Sequence, residues 1–280
     1  MGGERDREAA SWSIVGVRHA RVWIGPAIAL ALALGASAED PPPDVHQSFG
    51  VGTGFDFSTG DYGESSATDI WYVPLTLRYE RGPWTGRLTV PYLRITGRGD
   101  VVGGLGGAEV VGSSDGPRET DAGLGDIVAG LTYAIEPRSP WFPFIELTGR
   151  VKFPTASRAR GLGTGEFDYS VQLDVSESFG SATPYLMVGY RFVGNPPGSD
   201  LHDTVFSSLG VAYRIVRGLT VGLSYDWRQT ASRRLGDVHE LSPYVSWRMS
   251  EHVTLGPYAV VGLSRAAPQY GVGLQIGYRY

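Results

Sequence analysis

The feature that most constrains this chain is a two-residue alternation of apolar with small or polar residues, which continues to the last residue. In the closing stretch GVGLQIGYRY (271–280), every even position from Val272 onward is apolar or aromatic, and every odd position is small or polar. Successive side chains of a β-strand point to opposite faces, so a period of two predicts a strand with one apolar face. Chain ends are usually frayed and polar, whereas this chain ends inside a predicted strand.

The same alternation recurs through the chain after Pro43, in runs bounded by Gly, Pro, Asp or Ser. We count twelve runs of roughly ten residues each and find no amphipathic helix between them. Such runs are typical of an all-β protein. The run at 86–95 is irregular, because Arg94 would share the apolar face of Leu88. We therefore predict a bulge near Pro91 that resets the register.

Three properties of these runs favour a transmembrane barrel over a soluble β-sandwich. Their length suits a strand that crosses a bilayer at a tilt, ~9–11 residues. Short turns alternate with longer connections, as in outer-membrane barrels, and we expect the longer ones at 58–69, 96–123, 154–166, 194–203 and 229–238. Aromatic residues mark strand ends on the apolar face, where interfacial girdles lie: Phe49, Phe57, Trp71, Tyr79, Phe167, Phe179, Trp227, Trp247, Tyr278 and Tyr280.

We therefore predict a single closed antiparallel transmembrane β-barrel of about 12 strands over residues 39–280, in the bacterial outer membrane, with both mature termini periplasmic. In a closed barrel the last strand pairs with the first, which explains why the chain ends in a strand. The terminal strand Gly271 to Tyr280 also resembles the assembly signal of Gram-negative outer-membrane proteins. The expected partners are the barrel-assembly machinery, outer-membrane lipid and lipopolysaccharide, and a small-molecule solute. The barrel is expected to be a monomer.

The first 38 residues are organised as an export signal. Arg18 and Arg21 precede an apolar stretch from Val22 to Gly35, which a small-residue cleavage site at 36–38 follows. This three-part layout is typical of a secretory signal peptide and is too short for a transmembrane helix. We predict cleavage after Ala38. The segment before Val15 is long and mixed in charge, which suggests that the true start codon lies near residue 15 or 17.

Composition excludes several functional classes. The chain has no Cys, so Cys-ligated zinc, thiol catalysis and disulfide scaffolds are excluded. Its formal charge of −5 gives no indication of nucleic-acid binding. The five His residues show no metal-ligand spacing, and no Gly-x-Gly-x-x-Gly or P-loop motif is present. We therefore expect neither a cofactor nor a metal site.

The polar face of the runs carries charges of both signs, and we take these residues as candidates for lining the lumen. The candidates are Arg78, Glu80, Arg87, Asp126, Glu146, Arg150, Lys152, Asp168, Asp174, Arg191, Arg214, Asp226, Arg228, Glu240, Arg248 and Arg279. Two interpretations stay open: they form a selective constriction, or they neutralise one another and close the lumen. The inward glycines could widen the lumen or seat neighbouring aromatic rings: Gly50, Gly52, Gly54, Gly189, Gly222, Gly273 and Gly277.

Sequence patterns for hydrolysis are weak. The GSSDG stretch (112–116) has the spacing of a nucleophile elbow but lacks a following helix. His46-Gln47-Ser48 has the His-x-Ser spacing of barrel phospholipases, although the single Asn, Asn195, is poorly suited as an orienting partner. Asp237-Val238-His239 and Asp200-Leu201-His202 have the Asp-x-His pattern of omptin proteases in predicted loops, without the Asp-x-Asp partner of that family. We expect no enzymatic activity.

Four stretches resemble the outer-membrane transporter family named for the meta-pathway of phenol degradation: 82–97, GLGDIVAGLTYAI (123–135), VKFPTAS (151–157) and GLGTGEFDYS (161–170). The resemblance extends over about residues 45–280. It implies an outer-membrane channel or transporter for a small aromatic or apolar solute, and it supplies no site residues. A structural or adhesive barrel with a plugged lumen, using segments 96–123 and 154–166 as contact surfaces, is the alternative. A loop-borne hydrolase that depends on His239 is the third hypothesis.

Overall fold

The structure is a computed structural model. It describes the backbone of residues 23–25, 29–31, 47–97, 99–104, 107–113, 118–137, 139 and 142–280, and the side chains of these residues from 47 to 97 and from 118 onward. Trp23–Gly25 and Ala29–Ala31 form a short antiparallel pair. The rest of the predicted signal peptide, His46 and the second half of GSSDG lie outside the described residues. Within this part of the chain, no helix is long and apolar enough to span a membrane.

Twelve antiparallel strands form one closed barrel, which confirms the predicted fold. Strand β4 has two segments, here called β4a and β4b. The strands are β1 (Gln47–Gly60), β2 (Thr68–Arg81), β3 (Trp84–Gly97), β4a (Glu119–Leu124), β4b (Ile127–Ile135), β5 (Phe144–Phe153), β6 (Asp168–Ser176), β7 (Ala182–Phe192), β8 (Thr204–Val216), β9 (Leu219–Arg228), β10 (Val238–Arg248), β11 (Val253–Gly262) and β12 (Tyr270–Arg279).

The first and last strands close the barrel, as the terminal alternation predicted. β1 and β12 pair in unbroken register from Gly50 opposite Arg279 to Thr59 opposite Tyr270. The final residue extends this pairing, because the Tyr280 amide donates to the Phe49 carbonyl oxygen at 2.7 Å. Pairing of the two strands along their length leaves neither as an open edge.

The predicted bulge near Pro91 is wrong. β3 pairs with β2 in continuous register, and Arg94 lies exposed on the outer face while its neighbours Leu93 and Ile95 are buried inside. The irregularity is in the next strand, where Gly125 and Asp126 separate β4a from β4b and both are buried. The Gly125 amide donates to the Pro91 carbonyl oxygen at 2.9 Å. One extra residue in β4 therefore switches which of its side chains face inward.

The outer face of the barrel is a continuous exposed apolar surface. Leu75, Leu147 and Val171 are among its members, and aromatic side chains lie near the strand ends in contact across strands. The Phe57 and Trp71 rings lie 4.8 Å apart and those of Trp84 and Tyr133 4.7 Å apart. Large exposed apolar surfaces are not stable in water, and this pattern is the one a lipid-facing wall requires.

Long and short connections alternate, so the barrel has a loop end and a turn end. The loop-end connections are 61–67, 98–118, 154–167, 193–203, 229–237 and 263–269. The expected long loop at 96–123 is mostly strand, because Gly99–Gly104 pairs with Gly107–Ser113 and β4a follows. In 154–167, Arg158–Arg160 forms one 3₁₀ turn that ends at Gly161, whose φ is 64°.

Candidate functional site in the barrel interior

The structure places the charged candidates on the barrel face opposite the apolar one, with differing exposure. Asp126, Glu146, Arg150, Lys152, Asp168, Arg191, Asp226 and Glu240 are buried, whereas Arg78, Glu80, Arg87, Asp174, Arg228, Arg248 and Arg279 are partly buried. Arg214, near the turn end of β8, is exposed and donates to the Gly180 carbonyl oxygen at 3.2 Å. The alternation of β-strands accounts for this placement, because residues i and i+2 share a face.

A buried ionic network joins β4, β5, β6 and β7 near the loop end. The Lys152 ammonium is fully buried, 3.0 Å from Asp126 Oδ2 and 3.3 Å from Asp168 Oδ2. Arg191 Nη2 lies 2.8 Å from the same Asp168 oxygen. The second Asp168 oxygen accepts from the Gly194 amide at 2.9 Å. Buried charges are tolerated when they are paired and hydrogen-bonded, as all of these are.

Segment 154–167 folds inward and packs against the inner face near the loop end. Leu162 is fully buried in one apolar cluster with Tyr62, Ile70, Leu93, Ile95 and Ala156. The Tyr62 hydroxyl donates to Ser58 Oγ at 2.8 Å, and burial raises the pKa of this phenol above its usual range. Inward-facing apolar residues of β2 and β3 thus contact segment 154–167 instead of water.

Half of the remaining charged candidates cluster on β2, β3, β5 and β6, and we call them the charged wall. Arg78 forms an ion pair with Glu80. Arg150 Nη2 donates to Gln172 Oε1 at 2.6 Å, and Gln172 Nε2 in turn donates to the Asp174 carboxylate at 2.7 and 2.9 Å. Arg87 lies close enough to Arg78, Arg150, Glu146 and Glu80 to interact with them electrostatically. This wall therefore presents guanidinium groups that acidic and amide side chains hold in place.

The other half of the barrel carries an aromatic surface, here called the tyrosine wall: Tyr185 on β7, Tyr244 on β10 and Tyr258 on β11. Each of these residues lies directly opposite a glycine of the neighbouring strand, Gly210, Gly222 and Gly273 respectively. A Cβ on any of these glycines would overlap the tyrosine ring. Gly222 and Gly273 therefore leave space for a neighbouring aromatic ring and do not widen the lumen. Gly189 leaves space for the Phe206 ring in the same way.

Sequence reasoning missed Asp56 as a candidate. Its side chain lies on the inner face of β1, opposite Tyr72 of β2 and Gly273 of β12, and is almost completely buried. Among the described residues, neither carboxylate oxygen has a hydrogen-bond partner. Its position in the alternation is visible in the sequence, but its lack of a hydrogen-bond partner in the described part of the chain depends on the register between strands.

The sequence profile of the family described as the MetA-pathway of phenol degradation matches residues 40–280. The chain belongs to this family. At the level of sequence, no curated protein matches it.

Two solved structures of outer-membrane proteins are similar in fold to this phenol-degradation family member. An outer membrane channel from Pseudomonas putida F1 superposes with a TM-score of 0.59 at 16% identity, over 86% of this chain and 100% of that chain. The NanC porin superposes with a TM-score of 0.51 at 10% identity, over 82% of this chain and 97% of that chain. At these identities the likeness shows the fold, a closed β-barrel.

Three of the four stretches that resemble the phenol-degradation family meet in the buried network. Asp126 ends GLGD, Lys152 and Thr155 belong to VKFPTAS, and Thr164 belongs to GLGTG; Lys152 Nζ donates to Thr164 Oγ1 at 3.1 Å. Thr155 Oγ1 accepts from the Ile127 amide at 2.9 Å and donates to the Gly125 carbonyl oxygen at 3.2 Å. The Ala156 amide donates to Asp126 Oδ1 at 2.8 Å. These residues therefore fasten segment 154–167 to the β4 bulge.

Three residues of the hydrolase patterns, Asp200, Asp237 and His239, are engaged in other contacts. His239 lies within β10, not in a loop as expected, and its Nδ1 is 2.6 Å from the Tyr225 hydroxyl. Asp237 accepts instead from Trp227 Nε1 at 3.2 Å. Asp200 lies 3.5 Å from Arg233 in an exposed pair. Among the side chains that the structure describes, no group of three or more His, Cys, Asp or Glu is placed to hold a metal ion.

Proposed function

We propose that this protein is an outer-membrane channel that conducts small aromatic solutes through the barrel interior. The observation that carries the proposal is that the barrel interior contains both the charged wall and the tyrosine wall. Ligand sites usually combine aromatic surface with a few placed polar groups. The partly buried Tyr258 ring of the tyrosine wall offers stacking surface to a planar solute, while the partly buried guanidinium groups of Arg78 and Arg87 interact with the solute's polar substituents.

The membrane location, orientation and assembly partners of this channel are inferred from its outer face, its terminal strand and its turn end. The exposed apolar outer face suits outer-membrane lipid and lipopolysaccharide, and the paired terminal strand Gly271 to Tyr280 suits recognition by the barrel-assembly machinery. We place the turn end and both mature termini in the periplasm, as short turns are on that side in outer-membrane barrels. We further propose that the barrel acts as a monomer. We also propose that it has no catalytic role, because Asp237 and His239 bond to different partners and not to each other.

Ion conductance in planar lipid bilayers tests the proposal. The refolded mature chain is expected to give discrete channels whose current phenol, but not glucose, blocks transiently. Arg150→Ala should change the unit conductance or ion preference, because it removes a buried guanidinium from the charged wall. Arg214→Ala, at the exposed end of β8, is the matched control and should leave both unchanged. A folded, heat-modifiable barrel that never conducts contradicts the proposal.

The packing of segment 154–167 favours one second candidate, a structural or adhesive barrel closed at its loop end. Leu162 holds this segment on the inner face through apolar contacts, and Thr164 of the segment accepts a hydrogen bond from the Lys152 ammonium. Such a barrel would show no conductance in the wild type. Deletion of 158–165 would then create conductance, whereas an open wild-type channel would contradict this candidate.

A further inference from the structure

Three arginines meet at the turn end of the barrel, and we call them the basic mouth: Arg217, Arg248 and Arg279. Arg217 lies in the turn between β8 and β9, and the carbonyl oxygen of the next residue, Gly218, accepts from the Arg248 amide at 2.7 Å. Thr254 of β11 lies opposite both Arg248 and Gly277. Arg279 follows Gly277 on the same inner face of β12. Register therefore places the side chains of Arg248 and Arg279 on the interior of the barrel, two strands apart.

In the described part of the chain, no ion pair neutralises the charges of the basic mouth. Arg217 and Arg279 lie close enough to Arg248 to repel it electrostatically, and none of the three guanidinium groups has a carboxylate partner among the described side chains. Glu251, in the turn between β10 and β11, is exposed and likewise unpaired there. Arg228, farther inside the barrel, is by contrast paired with a glutamate. An anion at the mouth would relieve this repulsion.

Solvent reaches the basic mouth, and a glycine joins it to the charged wall. All three of its side chains are at least partly exposed. Gly50 of β1 lies opposite Arg279 on one side and opposite Arg78 on the other. Because Gly50 has no side chain, no side chain of β1 stands between these two arginines at that level. Arg78, whose ion-pair partner is Glu80, lies directly opposite Arg87 of β3. Inward-facing guanidinium groups thus continue from the mouth to the charged wall.

We propose that the basic mouth binds the carboxylate of a small organic anion and that the arginines on either side of Gly50 guide this anion to the charged wall. Guanidinium groups match a carboxylate in charge and in hydrogen-bond geometry. Like charges that line an opening also raise the local concentration of ions of opposite sign. A neutral solute gains neither advantage. This inference rests on the proposed channel function and deepens it by naming the charge and the binding group of the solute.

Titration calorimetry on the refolded full barrel in a non-ionic detergent tests the mouth with two probes, benzoate and benzamide. These probes share a ring and a similar shape, but the carboxylate of one is a neutral amide in the other. Wild type should bind benzoate more tightly, and added NaCl should weaken this binding. Arg248→Gln and Arg279→Gln should each weaken benzoate binding about fivefold, since each removes a charge-assisted hydrogen bond in a partly exposed site, and should leave benzamide binding unchanged.

Matched variants separate a site from a general effect of charge. Arg265→Gln makes the same change of charge at an exposed position of the 263–269 connection, at the opposite end of the barrel. It should alter binding of neither probe. Arg279→Lys keeps the positive charge and should retain most of the affinity that Arg279→Gln loses. Heat-modifiability shows that each variant is folded, and if Arg248→Gln fails to fold, Arg279→Gln still tests the mouth.

Ion selectivity gives a second readout. In planar bilayers under a KCl gradient, the reversal potential of wild type should show a preference for chloride, which both glutamine variants of the mouth should reduce and Arg265→Gln should not.

Two results would overturn the basic mouth: equal binding of benzoate and benzamide by wild type, or a loss of benzoate affinity in Arg265→Gln as large as in the two mouth variants. A barrel that binds benzoate at the mouth but never conducts contradicts the channel proposal alone. A barrel that conducts but binds both probes equally contradicts the basic mouth alone.

Discussion

The Lys152 ammonium and the Asp126 carboxylate lie 3.0 Å apart with both side chains buried, and they join adjacent strands next to the β4 bulge. Asp168 and Arg191 extend the pair across two more strands. A buried ion pair adds little net stability compared with apolar residues, but removing one partner leaves an uncompensated charge. Because Lys152 also donates to Thr164 and Asp126 accepts from the Ala156 amide, the network helps to hold segment 154–167 on the barrel wall.

Replacing that lysine should destabilise the barrel strongly. Lys152→Met leaves Asp126 buried without its cation, and we expect the free energy of unfolding to fall by about 3–5 kcal/mol. Urea unfolding in lipid vesicles, followed by tryptophan fluorescence, measures the change. Arg233→Met breaks an ion pair whose side chains are both mostly exposed, and should cost less than about 1 kcal/mol. Equal losses in the two variants would show that the buried network has no special role.

The close approach of the tyrosine rings to glycines in the tyrosine wall can be tested by adding one methyl group to a glycine. Gly222→Ala places a Cβ inside the Tyr244 ring, and overpacking of this kind costs about 1–3 kcal/mol. Gly149→Ala is the matched control, because a Cβ there meets nothing within 4 Å. A Gly222→Ala barrel as stable as Gly149→Ala would mean that Tyr244 moves away without cost.

Leu162 should control the local stability of segment 154–167 more than that of the barrel. Leu162→Ala removes a fully buried side chain from the cluster with Leu93 and Ile95, at a cost of about 2–5 kcal/mol. Trypsin cleavage at the exposed Arg158 and Arg160 should then accelerate at least tenfold while the barrel stays folded. Leu263→Ala, in an exposed connection, should leave the cleavage rate unchanged. Slow cleavage in both variants would argue that hydrogen bonds alone hold the segment.

Replacing the terminal aromatic residue should affect assembly in cells but not the stability of the folded barrel. The Tyr280 side chain is 85% exposed, although its backbone amide bonds to Phe49. Tyr280→Ala should therefore change the free energy of unfolding by less than about 0.5 kcal/mol. If the assembly machinery recognises the terminal residue, the same variant should accumulate several-fold less in the outer membrane of cells. Normal accumulation would remove Tyr280 from the proposed assembly signal.

The sequence by itself determined the barrel, the number of strands and the face to which most side chains point. These follow from local periodicity, since apolar residues at i and i+2 must share the lipid-facing side. The same logic placed Lys152 and Asp126 on the inner face and showed that Arg94 would face outward. The prediction of a bulge at Pro91 was wrong because a bulge can lie in either of two paired strands. Only the pairing of Pro91 with Gly125 shows that the bulge lies in β4.

Only the tertiary structure decided which inward residues meet. Register between strands sets Tyr244 opposite Gly222 and Asp56 opposite Gly273. One sequence read alone does not report register, because pairing depends on both strands and on how the barrel closes. The inward folding of segment 154–167 is likewise a long-range event: Leu162 finds its apolar partners on strands more than sixty residues earlier in the chain.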